Sequence, residues 1–222
     1  MSGGFDFQWH VMWESLPVLL QGAKLTLLIA VSGLLLGFLA GSLIGLAKTA
    51  RKTFLCKPAG GYIAVVRGTP LMVQVLFLYF GLPVLLGMSI PPLTAGIIAI
   101  AVNSAAYIAE VVRGAIESID KGQVEAARSM GLTRCQALLY VVWPQAFRRM
   151  IPPLGNQFII SIKDTSLLVV IGVGELTRQG QVIASVNFRA FEVWLTVALI
   201  YLAMTLSLSK ILEMAERRMR II

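Results

Sequence analysis

Residues 158–172, FIISIKDTSLLVVIG, decide how the chain is read. Thirteen of these fifteen residues are apolar, small or hydroxylic, as in a helix in lipid, yet Lys163 and Asp164 stand side by side in the middle. A charge near the bilayer centre costs about 2.5–3.5 kcal/mol on insertion scales, and such residues usually mark a pathway or a site. The stretch therefore predicts a membrane helix whose charges are held by something.

The rest of the chain agrees. Of its 222 residues 57% are hydrophobic and 14% charged, with a mean hydropathy of +0.81. Soluble domains carry about 25% charged residues, so lipid must be part of this protein's solvent. Its net charge of +8 reports topology rather than nucleic acid. Fourteen basic residues fall in three places: Lys48, Arg51, Lys52 and Lys57; six within 113–149; and Lys210, Arg217, Arg218 and Arg220. Of the segments 1–23, 82–92 and 173–190, the first two hold none and the last holds two, Arg178 and Arg189. That asymmetry is the positive-inside signature.

A span needs about 20 helical residues. Five stretches qualify, 20–47, 62–87, 93–113, 150–172 and 191–211, which predicts an all-α polytopic protein with a single domain over 1–222. An odd number of crossings puts the ends on opposite sides, and the charge asymmetry places the N-terminus outside and the C-terminus in the cytoplasm. Trp9 and Trp13 suit an outer interfacial belt, and 82–92 reads as a tight external turn. Nothing at the N-terminus looks like a cleavable signal peptide. Cys56 and Cys135 lie in predicted cytoplasmic loops, where thiols stay reduced, and His10 is the only histidine, so no metal site is expected.

Gly33, Gly37, Gly41 and Gly45 recur every four residues, a face along which another helix can approach closely, within the chain or at a subunit interface. The hydrophilic segment 114–149 contains a helix-forming run, VEAARSMG, with Gly131 as a C-terminal stop. Thr133 and Gln136 have capping-box spacing for a second helix, which Pro144 is expected to interrupt. Two short helices make a rigid projection on which something docks.

EAARSMGLTRCQALLYVVWP, 125–144, resembles the EAA loop of ABC importer permeases through Glu125, Ala126, Ala127, Gly131, Val141 and Pro144; Trp143 departs from it. RGTPLMVQ (67–74), NSAAYIAEVVRG (103–114), PPLGNQFIISIKDTSL (152–167) and IGVGELTRQGQ (171–181) extend the likeness to the polar-amino-acid permeases. The resemblance implies a bacterial inner-membrane transport subunit without covalent chemistry. Its substrate would be a polar amino acid, glutamine foremost, with cationic and acidic ones open. It also implies a second permease subunit, with a homodimer expected, and a periplasmic or lipid-anchored solute-binding protein. A separate ATPase subunit would bind ATP and Mg, receiving Glu125, Ala126, Ala127 and Gly131 in a groove. The chain has no phosphate-binding G-x-x-x-x-G-K-[ST] loop of its own.

Asn103, Tyr107 and Glu110 share one helix face, with Ser104 beside them. Together with Lys163, Asp164, Ser166 and Arg67 they are the candidate substrate contacts, Lys163 and a carboxylate answering the two charges of an amino acid. The competing reading pairs Lys163 with Glu110 and Asp164 with Arg67 as structural ion pairs, with Arg67 anchoring a helix end. An ATP-independent channel or ion-coupled carrier is the alternative function; it leaves the projecting loop unexplained. Glu175, Arg178 and Gln179 are expected to meet the binding protein or to face water.

Overall fold

The computed structural model describes residues 6–50 and 52–219; residues 1–5, Arg51 and 220–222, which the expected single domain over 1–222 includes, lie outside the described residues. Among these every regular element is helical: α1 (Trp9–Thr49), α2 (Thr53–Gly68), α3 (Leu71–Leu76), α4 (Leu82–Leu86), α5 (Pro92–Glu117), α6 (Lys121–Ser129), α7 (Arg134–Ala137), α8 (Trp143–Asp164), α9 (Leu176–Asn187) and α10 (Ala190–Met219). π-helical turns at Phe77–Gly81 and Leu138–Val142 and a 3-10 turn at Thr165–Ile171 link them.

The glycine face of α1 packs inside the chain, on α5. A Cβ on Gly33 would lie 2.6 Å from Ile100 Cγ2, one on Gly41 2.6 Å from the Ala105 carbonyl, and one on Gly45 2.7 Å from Val112 Cβ. Successive glycines meet successive turns of α5, so the two helices run parallel with backbones close together. Antiparallel to α5 runs α8, with Ile108, Val112, Val142, Ala146 and Met150 buried between them. A second apolar cluster joins Ile29, Val75, Ala99, Ile100 and Leu168, and a third Leu19, Leu176 and Val197.

Among the described residues four helices are long and apolar enough to cross a membrane, or five if one bent pair counts as a span. That pair corrects the expected continuous helix over 62–87: Thr53–Gly68 and Leu71–Leu86 meet at 104°. Pro70 forces Thr69 into extended backbone (φ −116°, ψ 140°) and cannot extend the α2 ladder. The first span starts earlier than expected, at Trp9, with Gln8 N donating to Glu192 Oε1 at 3.1 Å.

Two further expectations are corrected. Pro144 does not end a helix; it sits in the first turn of α8, and the π-helical turn before it carries the helical path past the missing N–H. Lys163 and Asp164 are not mid-helix; they close α8, where the coil tightens to 3-10. A cation in the last turn suits the negative end of the helix dipole.

Glu175 neither faces water nor is free to meet a partner. Fully buried, it caps α9 by accepting from Thr177 N at 2.9 Å and Arg178 N at 2.8 Å, and Tyr201 OH donates to it at 3.0 Å. Burial pushes its carboxyl above the usual range, against the pull of those donors.

The seam is testable with two glycines. Gly41→Leu should destabilise the protein by about 1–3 kcal/mol, as overpacking does. Gly61→Leu, where nothing lies within 4 Å of a Cβ, should leave melting in detergent unchanged. Equal melting of both variants would refute the close-packed seam.

Candidate functional site

The break between α2 and α3 opens into a cavity of about 490 Å³, lined by Arg67, Thr69, Asn103, Tyr107, Gln157 and Asp164 among others. Its wall therefore comes from the α2–α3 corner, α5 and α8. The carbonyls freed at the corner are satisfied by side chains: Gln74 Nε2 donates to Val66 O at 2.8 Å and to Thr69 O at 3.0 Å, and Thr69 Oγ1 to Val65 O at 3.0 Å. Gln74 Oε1 accepts from Asn103 Nδ2 at 3.3 Å, which holds the cavity asparagine to the corner.

Four of the sequence-predicted residues meet here: Arg67, Asn103, Tyr107 and Asp164. Arg67 lies over the Tyr107 ring, 5.3 Å from its centroid, and 3.6 Å from Glu110 Oε2. Glu110 sits outside the cavity lining, bonded also to Arg113 at 2.7 Å. Ser104 turns toward α8, its Oγ 3.2 Å from Ser161 Oγ. Lys163 is exposed on the single chain and Ser166 half-buried; neither lines the cavity. The pairing of Lys163 with Glu110 is not formed, and Asp164 has no ion-pair partner among the described residues. Neighbours on a helix point about 100° apart, which is why Lys163 leaves when Asp164 enters.

Gln157 and Gln74 were not singled out by the sequence reading. Gln157 is 6% exposed, lines the cavity and makes no hydrogen bond among the described residues. Its signal was the seven-residue interval to Asp164, two turns along one face.

The projecting loop is built as its sequence suggests. Gly131 takes a left-handed φ of +89° after α6, and Thr133 and Gln136 form both bonds of the capping box. Asp120 caps α6, accepting from Gly122 N at 2.7 Å. Since α6 starts at Lys121, Glu125 is in its second turn rather than at its N-terminus. Glu125 and Ala126 are exposed, whereas Ala127 is buried in the loop's own packing.

Residues 33–221 match the family described as the inner membrane component of binding-protein-dependent transport systems. The chain belongs to that family. It is 52% identical over 218 residues to the glutamine transport system permease protein GlnP of Escherichia coli (strain K12), covering 98% of this chain and 100% of that one. It is 37% identical to the probable amino-acid permease protein YxeN of Bacillus subtilis (strain 168), over 95% of each. A crystal structure of an amino acid ABC transporter with histidines superposes at TM-score 0.91, with 42% identity over 96% of this chain and 100% of that one. An inward-facing MetNI methionine transporter shares the fold, at TM-score 0.79 and 21% identity over 96% and 99%.

The chain is thus an ABC importer permease subunit, a multi-pass inner-membrane transport component and not an enzyme. An ATPase and a binding protein come with that membership.

Because the Gln157 amide has no partner to lose, Gln157→Leu should change melting little while lowering apparent substrate affinity about tenfold, one unmade hydrogen bond to a bound polar group. Uptake titrations in vesicles and a melting curve read both effects. Unchanged affinity would remove Gln157 from the site.

Proposed function

We propose that the chain forms the inward pathway for glutamine or a closely similar polar amino acid, the ATPase partner binding ATP and Mg and the cavity opening alternately to each side. The carrying observation is the cavity itself: one cation, Arg67, one anion, Asp164, and two amides, Asn103 and Gln157, converging from three helical segments. A free amino acid presents a carboxylate and an ammonium. Arg67 replaces the water lost by the first and Asp164 that lost by the second, as charge-assisted hydrogen bonds require. The neutral amides and Tyr107 suit an uncharged polar side chain, and the 52% identity to a glutamine permease supports that choice.

Lys163 supports a second permease subunit, most simply a second copy. Its exposed ammonium on a membrane helix would be costly against lipid, but not against protein. The fourteen-to-two basic asymmetry supports an N-terminus outside and a C-terminus in the cytoplasm. On that orientation the projecting α6–α7 loop faces the ATPase, with Glu125 and Ala126 presented outward, Ala127 packing beneath them and Gly131 setting the exit.

Asp164→Asn keeps the shape and removes the charge opposite the substrate ammonium. The variant should assemble, keep basal ATP hydrolysis and lose uptake by about tenfold or more, the worth of a hydrogen bond to a charged group. Uptake restored by adding Arg67→Gln would instead mean that the two charges serve each other. Orientation is read separately: a cysteine placed in 84–90 should react with an impermeant thiol reagent from outside and native Cys135 should not, and reversed labelling would overturn it.

A further inference from the structure

Helices α5 and α8 both carry cavity residues, Asn103 and Tyr107 on one, Gln157 and Asp164 on the other. Two polar contacts tie them at separate levels. Beside the cavity the hydroxyls of Ser104 and Ser161 lie 3.2 Å apart. At the loop end Arg149 Nη1 donates to the Ser118 carbonyl at 2.6 Å and to Ser118 Oγ at 2.9 Å, across 31 positions of sequence. Buried apolar side chains fill the space between these levels.

The place of the second contact matters. Ser118 is the C-cap of α5, and α6 begins at Lys121. Carbonyls at a helix C-terminus lack intrahelical donors and carry the negative end of the dipole, so a guanidinium there is both bonded and electrostatically favoured. The root of the projecting helix is therefore pinned to α8 as well as continued from α5. Arg148, the preceding residue, is exposed and bonds to nothing among the described residues, which makes it a matched control of equal charge.

We infer that Arg149 is a positioning residue for coupling: it fastens the root of α6 to α8, so that α5 and α8 move as one lever and a displacement of the loop reaches the cavity wall. The lever between the two contacts is about 20 Å of helix. Without Arg149 the short Ser118–Asp120 corner takes up much of the displacement, and α6 reaches α8 only through its packing on the turn that leads into α8. The inference rests on the coupling role proposed for the loop.

The test uses the assembled transporter, with its ATPase and binding protein, in lipid vesicles. Arg149→Gln should assemble and hydrolyse ATP at the basal rate, while the extra hydrolysis and uptake evoked by loaded binding protein fall about tenfold, as for a lost hydrogen bond to a charged group. Arg148→Gln should behave as the unaltered protein. A Ser118→Cys, Arg149→Cys pair, in a chain with Cys56→Ser and Cys135→Ser, should be uncoupled until a short bifunctional thiol reagent joins the two positions, and coupled afterwards. The joined pair also gives the answer if Arg149→Gln fails to assemble. Retained stimulation in Arg149→Gln, with Gly131→Val uncoupled, overturns the fastening and leaves the loop's role standing. Retained stimulation in both sinks the loop's role as well. A pair that stays uncoupled after joining also overturns the fastening, because Arg149 would then act by touching the ATPase.

Discussion

A helix that breaks within a membrane protein must find protein or cavity partners for the backbone groups it frees, because lipid supplies none. The Gly68–Pro70 corner meets that constraint through Gln74, whose amide nitrogen takes two carbonyls while its oxygen takes Asn103. The cavity is the consequence. Two half-helices at 104° cannot fill the space that one continuous helix would fill, and the gap is closed by polar residues of α5 and α8. One glutamine side chain thus permits the break and orients a residue of the site.

Around this corner, α5 has two neighbours of different kinds. Against α1 it packs backbone to backbone, where no side chain on the glycine face can rearrange. Against α8 it packs through larger apolar side chains with a polar tie at each end. Tight glycine packing allows little sliding because every approach is already at contact distance. Paired helices tied at two levels resist relative rotation, which suits parts that must move as a unit.

Charge placement follows the same economy. Arg67, in the last turn of α2, is held by Glu110 below and Tyr107 beside it. Glu175 is buried yet answered by two backbone N–H groups and a tyrosine hydroxyl. Asp164 alone among these buried or half-buried acids has no hydrogen-bond or ion-pair partner among the described residues, and it is the one that lines the cavity.

The sequence by itself determined the helical membrane fold, the glycine face, the projecting loop with its capping box and left-handed glycine, and the family. Each of these is written in local periodicity, in composition or in contiguous motifs. It also pointed to four residues that line the cavity, Arg67, Asn103, Tyr107 and Asp164, because charged and polar side chains are conspicuous in apolar helices. It did not separate Asp164 from Lys163, since adjacency in sequence says nothing of which way each side chain turns until the neighbours of α8 are in place. Gln157 and Gln74 stayed hidden because an uncharged amide is costly only once burial is known. The break at Pro70, the passage of the helix through Pro144 and the burial of Glu175 were decided by tertiary structure. Whether a proline ends a helix or a carboxylate can be buried depends on which distant groups satisfy the bonds left open, and those groups are brought near only by the fold.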